Sequence, residues 1–159
     1  MASKKKKQSN QPKIENRKAR HNYHISETLE CGIKLVGTEV KAVRQGKVSL
    51  AEGYVRAIEN PPSLQLHSIH IAEYPPAGPK QNIPTRTRTL LAHRREIKKL
   101  AIATYEKGIT LIPLKMYFLN GRAKLLIGVA RGKQHADKRQ DMAKRQAQRD
   151  IQRAMSKKL

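Results

Sequence analysis

Residues 111–130 read LIPLKMYFLNGRAKLLIGVA. Two β-rich runs flank Asn120-Gly121, the dipeptide best suited to a type I′ turn because both of its positions accept positive φ. After the turn, Ala123, Leu125, Ile127 and Val129 alternate, which places them on one face of a strand. The segment therefore predicts a hairpin. Pro113 cannot donate to a ladder and is expected at an edge or strand start.

Working outward, the preceding chain gives more short strands. In YHISETLECGIKLVG (23–37) the apolar positions Tyr23, Ile25, Leu29, Ile33 and Leu35 mostly alternate. YVRAIE and SLQLHSIHI are two further β-rich runs, separated by the turn signal Asn60-Pro61-Pro62-Ser63. Two helices interrupt them. TEVKAVRQG (38–46) has Thr38 as a cap and Gly46 as a stop, although it could also continue a strand from Leu35. HRREIKKLAIATYEKG (93–108) carries Ile97, Leu100, Ala101 and Tyr105 at helical spacing, with Gly108 as its stop. The stretch 74–91, rich in Pro and basic residues, reads as an extended loop. Many short strands with two or three helices suggest a mainly β fold, a small closed barrel that leaves no free edge.

The chain has 159 residues, with 34 Lys and Arg against 12 Asp and Glu, for a formal net charge of +22. A field of that size attracts polyanions and opposes compaction. Nucleic acid is the leading partner, because neutralising phosphates releases condensed counterions; a membrane surface comes second. No apolar run is long enough for a spanning helix, and the basic start MASKKKKQSN lacks the apolar region of a secretory signal. The lone Cys31 forms no disulfide within the chain and suits a reducing cytoplasm.

Catalytic patterns are missing: there is no G-x-S-x-G, P-loop, H-E-x-x-H or cysteine pair. His21/His24 and His67/His70 are spaced by three, which on a strand sends the rings to opposite faces. They make poor metal co-ligands, and no cofactor is implied. Cys31 reads as a small packing residue. An RNA-modifying enzyme is thus disfavoured, and an RNA-coating chaperone or ribosomal protein is the alternative to a specific binder.

Two basic surfaces follow. The first lies on the folded part: Arg17, Lys18 and Arg20 in NRKARH, then Lys41, Arg44, Lys47, Arg86, Arg88, Lys124, Arg131 and Lys133. Arg grips phosphates bidentately and Lys supplies a point charge. Few aromatics are present for stacking unpaired bases, so structured RNA read by shape is the better fit. The second is the end of the chain. Met142, Ala143, Gln146, Ala147, Asp150, Ile151 and Ala154 form a thin stripe, against Lys138, Arg139, Lys144, Arg145, Arg149 and Arg153. Burying alanine methyls offsets backbone ordering poorly, and the cations repel one another. The expected state is a tail disordered alone and helical against an anionic wall. The organisation expected is a disordered basic arm at 1–12, an RNA-binding barrel at 13–131 and the tail at 132–159.

The motifs NRKARHNY (16–23), GTEVKAVRQGKVSL (37–50), PTRTRTLL (84–91), HRREIKKL (93–100), GITLIPLKMYFLNGRAKLLIGVARGK (108–133) and DKR (137–139) occur in order. In this the chain resembles the bacterial small protein B family, the tmRNA-binding (SsrA-binding) proteins of trans-translation. The resemblance implies an oligonucleotide-binding-type β-barrel that acts as a non-catalytic, monomeric cytoplasmic adaptor. It implies binding to the tRNA-like domain of tmRNA and rescue of ribosomes stalled without a usable stop codon. Elongation factor Tu would be an indirect partner through aminoacylated tmRNA. It implies that Asn16, Glu30 and Leu91 contact the tRNA-like domain. Gly132 becomes the junction to the tail, and Asp137, Lys138 and Arg139 the motif for the small-subunit decoding centre beside the empty mRNA channel. His135 is the candidate for stacking there, because its flat ring can lie on a base. Glu30 either accepts hydrogen bonds from RNA donors or pairs with a nearby Arg.

Overall fold

The computed structural model describes residues 11–156. In chain order its elements are β1 (Ile14–Glu15), α1 (Arg17–Asn22), β2 (Tyr23–Ile33), α2 (Gly37–Arg44), β3 (Val48–Ser49), β4 (Tyr54–Ile58) and β5 (Ser63–His67). They continue as β6 (His70–Ile71), a 3-10 turn (Pro75–Ala77), β7 (Arg88–Leu91), α3 (Arg94–Ala103), β8 (Ile109–Leu119), β9 (Arg122–Gly132) and α4 (His135–Ser156).

The hairpin organises the rest. β8 and β9 pair from Ile109↔Arg131 to Leu119↔Arg122, and φ is positive at both Asn120 (51°) and Gly121 (74°), as a type I′ turn requires. β9 also pairs with β2, from Tyr23↔Gly132 to Gly32↔Lys124. The order β8-β4-β5-β7-β2-β9 returns to β8, an antiparallel ring. Its two narrow seams are the single register pair Val55↔Leu111 and the two pairs joining β2 to β7, so the sheet is partly closed.

Alternation fills the ring with Cys31, Ile33, Leu64, Leu66, Leu90, Leu111, Met116, Leu125 and Ile127; α2 adds Val43, and α3 adds Ile97 and Leu100. Each such side chain contributes about 1.5–3 kcal/mol of burial. Burial pushes the Cys31 thiol up to about 12, so it is a packing group and not a thiolate. On the outer face of the hairpin, Ile112, Leu114 and Ala130 form a second cluster beneath Ala19 of α1.

Several expectations are corrected. Among the described residues there are three α-helices besides the tail helix, within the two or three expected; NRKARH, read only as a basic surface, belongs to α1, which Asn16 caps and Ala19 anchors. Pro113 lies inside β8, at a register break where β8 leaves β4 and has not reached β1. No neighbour needs its missing N–H there. Thr38 does not cap α2. Its hydroxyl accepts from Asn82, and the Glu39 carboxylate accepts the Val36 N–H instead. α3 ends at Ala103, so Gly108 (φ 88°) shapes the following loop, and Tyr105 is exposed with its hydroxyl donating to Glu59. The basic arm expected at 1–12 falls outside the described residues except for Gln11 and Pro12.

The tail is a continuous 22-residue helix, the form expected of it against an anionic host, and none of its residues is buried. Ala, Gln, Arg, Lys and Met are all good helix formers, which accounts for the helix without any packing.

Candidate nucleic-acid interface

Period two sends Glu30 and Gly32 of β2, Leu91 of β7, Lys124 of β9 and Tyr117 of β8 to the outside of the ring. Register makes a row of them: Leu91 pairs with Gly32, Gly32 with Lys124, and Lys124 with Tyr117. Leu91 leans onto Gly32, where an added Cβ would meet the Leu91 Cβ at 3.3 Å. Glu30 stands beside this row. The Tyr117 hydroxyl donates to its carboxylate, and Lys124 Nζ is 3.9 Å away. Burial, and then the Glu30 hydrogen bond, push Tyr117 up to about 12, so it stays a proton donor. Of the two alternatives for Glu30, the intramolecular one takes Tyr117 and Lys124 as partners and not an Arg.

The row borders an open groove of about 340 Å³, lined also by Leu35, Val40, Phe118 and Arg122. The Arg44 guanidinium lies 5.5 Å from the Phe118 ring centre at its side. Glu30, Leu91, Lys124 and Arg44, singled out separately in the sequence, therefore converge. The groove offers apolar contact from Leu91 (52% exposed) and the cations Arg122 and Lys124, with Arg44 at its side and the Glu30 carboxylate next to Lys124. Tyr117 was missed. Its signal was its outward position on β8, between Lys115 and Leu119 and out of phase with Met116 and Phe118.

Arg88, expected as an RNA contact, is corrected to a structural group, and Arg86 is engaged beside it. Arg88 is fully buried: it donates to Glu39 (2.9 Å), to the Arg86 carbonyl (2.9 Å) and to the Pro84 carbonyl (2.9 Å). Arg86 donates to the same carboxylate at 2.8 and 2.5 Å. Burial alone would raise the Glu39 pKa; hydrogen bonds from Arg86, the Val36 N–H and Arg88 outweigh it and hold the carboxyl below its usual range. This triad fastens the 83–88 loop to α2. A charge excess in the sequence gave no hint that two cations shared one buried acid 47 and 49 positions away.

A second cluster lies at α1. Arg17, Lys18 and Arg20 are exposed. Asn16 is buried, and its amide donates to the carbonyls of Leu50 (3.1 Å) and Pro113 (3.0 Å) while its Oδ1 accepts the Ala19 N–H. The contact expected of Asn16 is corrected to a structural clamp that holds α1 on the hairpin. Lys133 is corrected likewise: its side chain is 7% exposed and donates to the Arg20 carbonyl and to Asp141. Arg131 is half-exposed and paired with Glu106, and Lys47 is exposed in the turn after α2.

The tail begins here. Gly132 ends β9 opposite Tyr23, and Asp137 caps α4 by accepting the Gln134 N–H and faces His24 Nε2 at 3.5 Å. Past Asp141 the helix makes no salt bridge to the ring among the described residues; His135, Arg139, Lys144, Arg145, Arg149 and Arg153 are exposed, and Lys138 is half-buried. At 1.5 Å per residue, α4 reaches about 33 Å. Gly32 and Tyr23 lie nine residues apart on β2, so roughly 30 Å of strand separates the groove from the root of the tail.

Comparison with known proteins gives consistent matches. The family model described as SmpB protein matches residues 13–157. The SsrA-binding protein of Thermobifida fusca (strain YX) is 49% identical over 158 residues, 98% of each chain. That of Roseiflexus sp. (strain RS-1) is 50% identical over 142 residues, 89% of each. A chain of the solved structure described as "tmRNA-SmpB: a journey to the center of the bacterial ribosome" superposes with a TM-score of 0.66 at 45% identity. It covers 78% of this chain and 86% of that one.

Proposed function

This chain belongs to the SmpB protein family, and from that premise we propose how its two basic regions divide the work. The protein is an RNA-binding adaptor of trans-translation: it binds tmRNA and acts with it on the ribosome. The ring grips the tRNA-like domain of tmRNA. The Glu30–Leu91–Lys124 groove, flanked by Arg44, makes the specific contacts, and Arg17, Lys18 and Arg20 of α1 add phosphate contacts. The tail from Gly132 reaches the decoding centre and the empty mRNA channel of the small subunit. There Lys138, Arg139, Lys144, Arg145, Arg149 and Arg153 neutralise ribosomal RNA, and His135 stacks on a base.

The observation that carries this reading is that groove and tail leave opposite ends of one β2–β9 ladder. One rigid body can thereby hold one RNA while a thin cationic rod enters another. The role is binding, not catalysis: the groove's ionisable hydroxyl is kept protonated and the thiol of Cys31 is buried. Elongation factor Tu joins only through the aminoacylated tmRNA, and the protein works as a cytoplasmic monomer.

Truncation after Gly132 tests the division. The truncated protein should keep tmRNA affinity within a few-fold in a filter-binding or anisotropy assay, and lose peptide tagging on ribosomes stalled at a message end. Equal loss of both would show that tail and ring form one RNA surface, and would end the proposal.

A further inference from the structure

At the α1 end, away from the groove, a cleft of about 200 Å³ opens between α1, the turn before β4 and the β8 strand. Its walls include Lys18, Asn22, Tyr23, Glu52, Tyr54 and Thr110. The Tyr54 ring stacks on His67, directly across the β4–β5 pair, with centroids 5.0 Å apart and planes 10° apart. His67 is steadied in turn by the Thr87 hydroxyl, 3.2 Å from Nδ1. Even so, Tyr54 remains 45% exposed where it borders the cleft. Lys18 and Glu52 meet at 3.6 Å on the rim, both mostly solvated.

Such a site suits a planar heteroaromatic ring. An aromatic side chain held by a stack behind it offers stacking area at little further entropy cost, and stacking is sequence-tolerant because every base has a π-face. The Asn22 amide can donate and accept at once, and Glu52 can accept from an exocyclic amine. The volume admits one purine or pyrimidine and no base pair, and is below that of a typical pocket for a larger organic ligand. A phosphate is a poor occupant, since the Glu52 carboxylate would repel it; Lys18 and the neighbouring Arg17 and Arg20 would meet phosphates outside the rim.

We infer that this cleft receives a single unstacked nucleobase of the bound RNA, its ring against Tyr54 and its hydrogen-bonding edge toward Asn22 and Glu52. The inference rests on the RNA-binding role given above. It makes α1 a base-reading element as well as a charged one.

The test uses the full-length chain, with thermal unfolding of each variant as a control. Two probes are used: a transcript of the tRNA-like domain of tmRNA, and purified small ribosomal subunits. Tyr54→Ala should weaken one of the two by about tenfold, Asn22→Ala by several-fold, and Tyr54→Phe should retain affinity. The slope of affinity against salt should not change, because a stacked base releases no counterions. Loss on the transcript assigns the base to tmRNA; loss on the subunit assigns it to ribosomal RNA. Tyr54→Leu, apolar but not aromatic, replaces Tyr54→Ala if the alanine variant unfolds. Unchanged affinity for both probes overturns the inference, as does a Tyr54→Phe loss equal to that of alanine, or a loss that comes with a reduced salt slope. Failure of the wild-type chain to prefer the transcript over a plain hairpin RNA would instead overturn the functional reading beneath it.

Discussion

Helices α3 and α4 are both basic on their outer surfaces, yet they stand on different physical footings. α3 is 10 residues long and sinks Ile97, Leu100 and Ala101 into the ring; its start is fixed by Glu96, whose carboxylate accepts the His93 N–H at 3.0 Å. α4 is more than twice as long and buries nothing. Met142, Ile151 and Met155 are all more than half exposed. Among the described residues, only its first two turns are tied down, through Asp137 and Asp141. With no apolar face packed, the stability of α4 comes from propensity alone, working against the mutual repulsion of its cations. The ring is therefore a pre-formed surface, and the tail a structure whose population depends on what surrounds it.

The sharpest way to break this contrast is at the buried triad. Glu39→Ala leaves Arg88 charged and unpaired in the interior and should destabilise the ring by about 3–5 kcal/mol, read as a lowered urea midpoint. If the loss were under about 1 kcal/mol, the triad would not be what fastens the 83–88 loop.

Acid probes the same group more gently. Because the folded-state pKa of Glu39 is depressed, its stabilising contribution is fully present above the ordinary value of 4.5 and is lost as pH falls through the lower folded value. Stability of the wild-type ring should decline below about pH 4.5 more steeply than that of Glu39→Gln, measured by denaturant titration across pH 2–6.

At the groove, Glu30→Gln keeps the shape and removes the charge that Tyr117 and Lys124 address. tmRNA affinity at fixed salt should fall by about tenfold, in line with the loss of a charge-assisted hydrogen bond. Unchanged affinity would remove Glu30 from the contact surface. Lys124→Ala should reduce the salt slope by about one counterion, whereas Arg149→Ala should leave it unchanged with tmRNA alone.

The smallest effects belong to the tail. Ile151→Ala should change the unfolding midpoint of the ring by no more than about 0.5 kcal/mol. Circular dichroism of the free protein, minus that of the chain truncated after Gly132, should show partial helix that grows with added salt as cation repulsion is screened, and grows further with small ribosomal subunits. A full helical signal at low salt, insensitive to both, would mean that the tail needs no host.

Legibility followed the range of the interaction. The hairpin at 111–130, the strands at 23–33, 54–58 and 63–67, and the core of α3 rest on alternation and turn chemistry within a few residues, and all were readable. The seeming exceptions include Thr38 and Tyr105, whose hydroxyls are engaged by the distant Asn82 and Glu59, while Gly108 lies five positions past the end of α3. In the candidate site, Glu30, Leu91 and Lys124 were nameable one by one, but their assembly into one row was not. It depends on a register that joins β2, β7 and β9 across 92 positions of chain.

Charge, helix propensity and binary pattern are properties of residues and their near neighbours, so the sequence by itself determined that this protein is a basic, mainly β molecule with a cationic end that has little to bury. Which cations remain free is a property of distant partners. Only the tertiary structure could bury Arg88 against Glu39, commit Lys133 to the carbonyl of Arg20 and turn Asn16 into a clamp. The physical reason is desolvation: a charged or polar group withdrawn from water must find its partner wherever the folded chain places one.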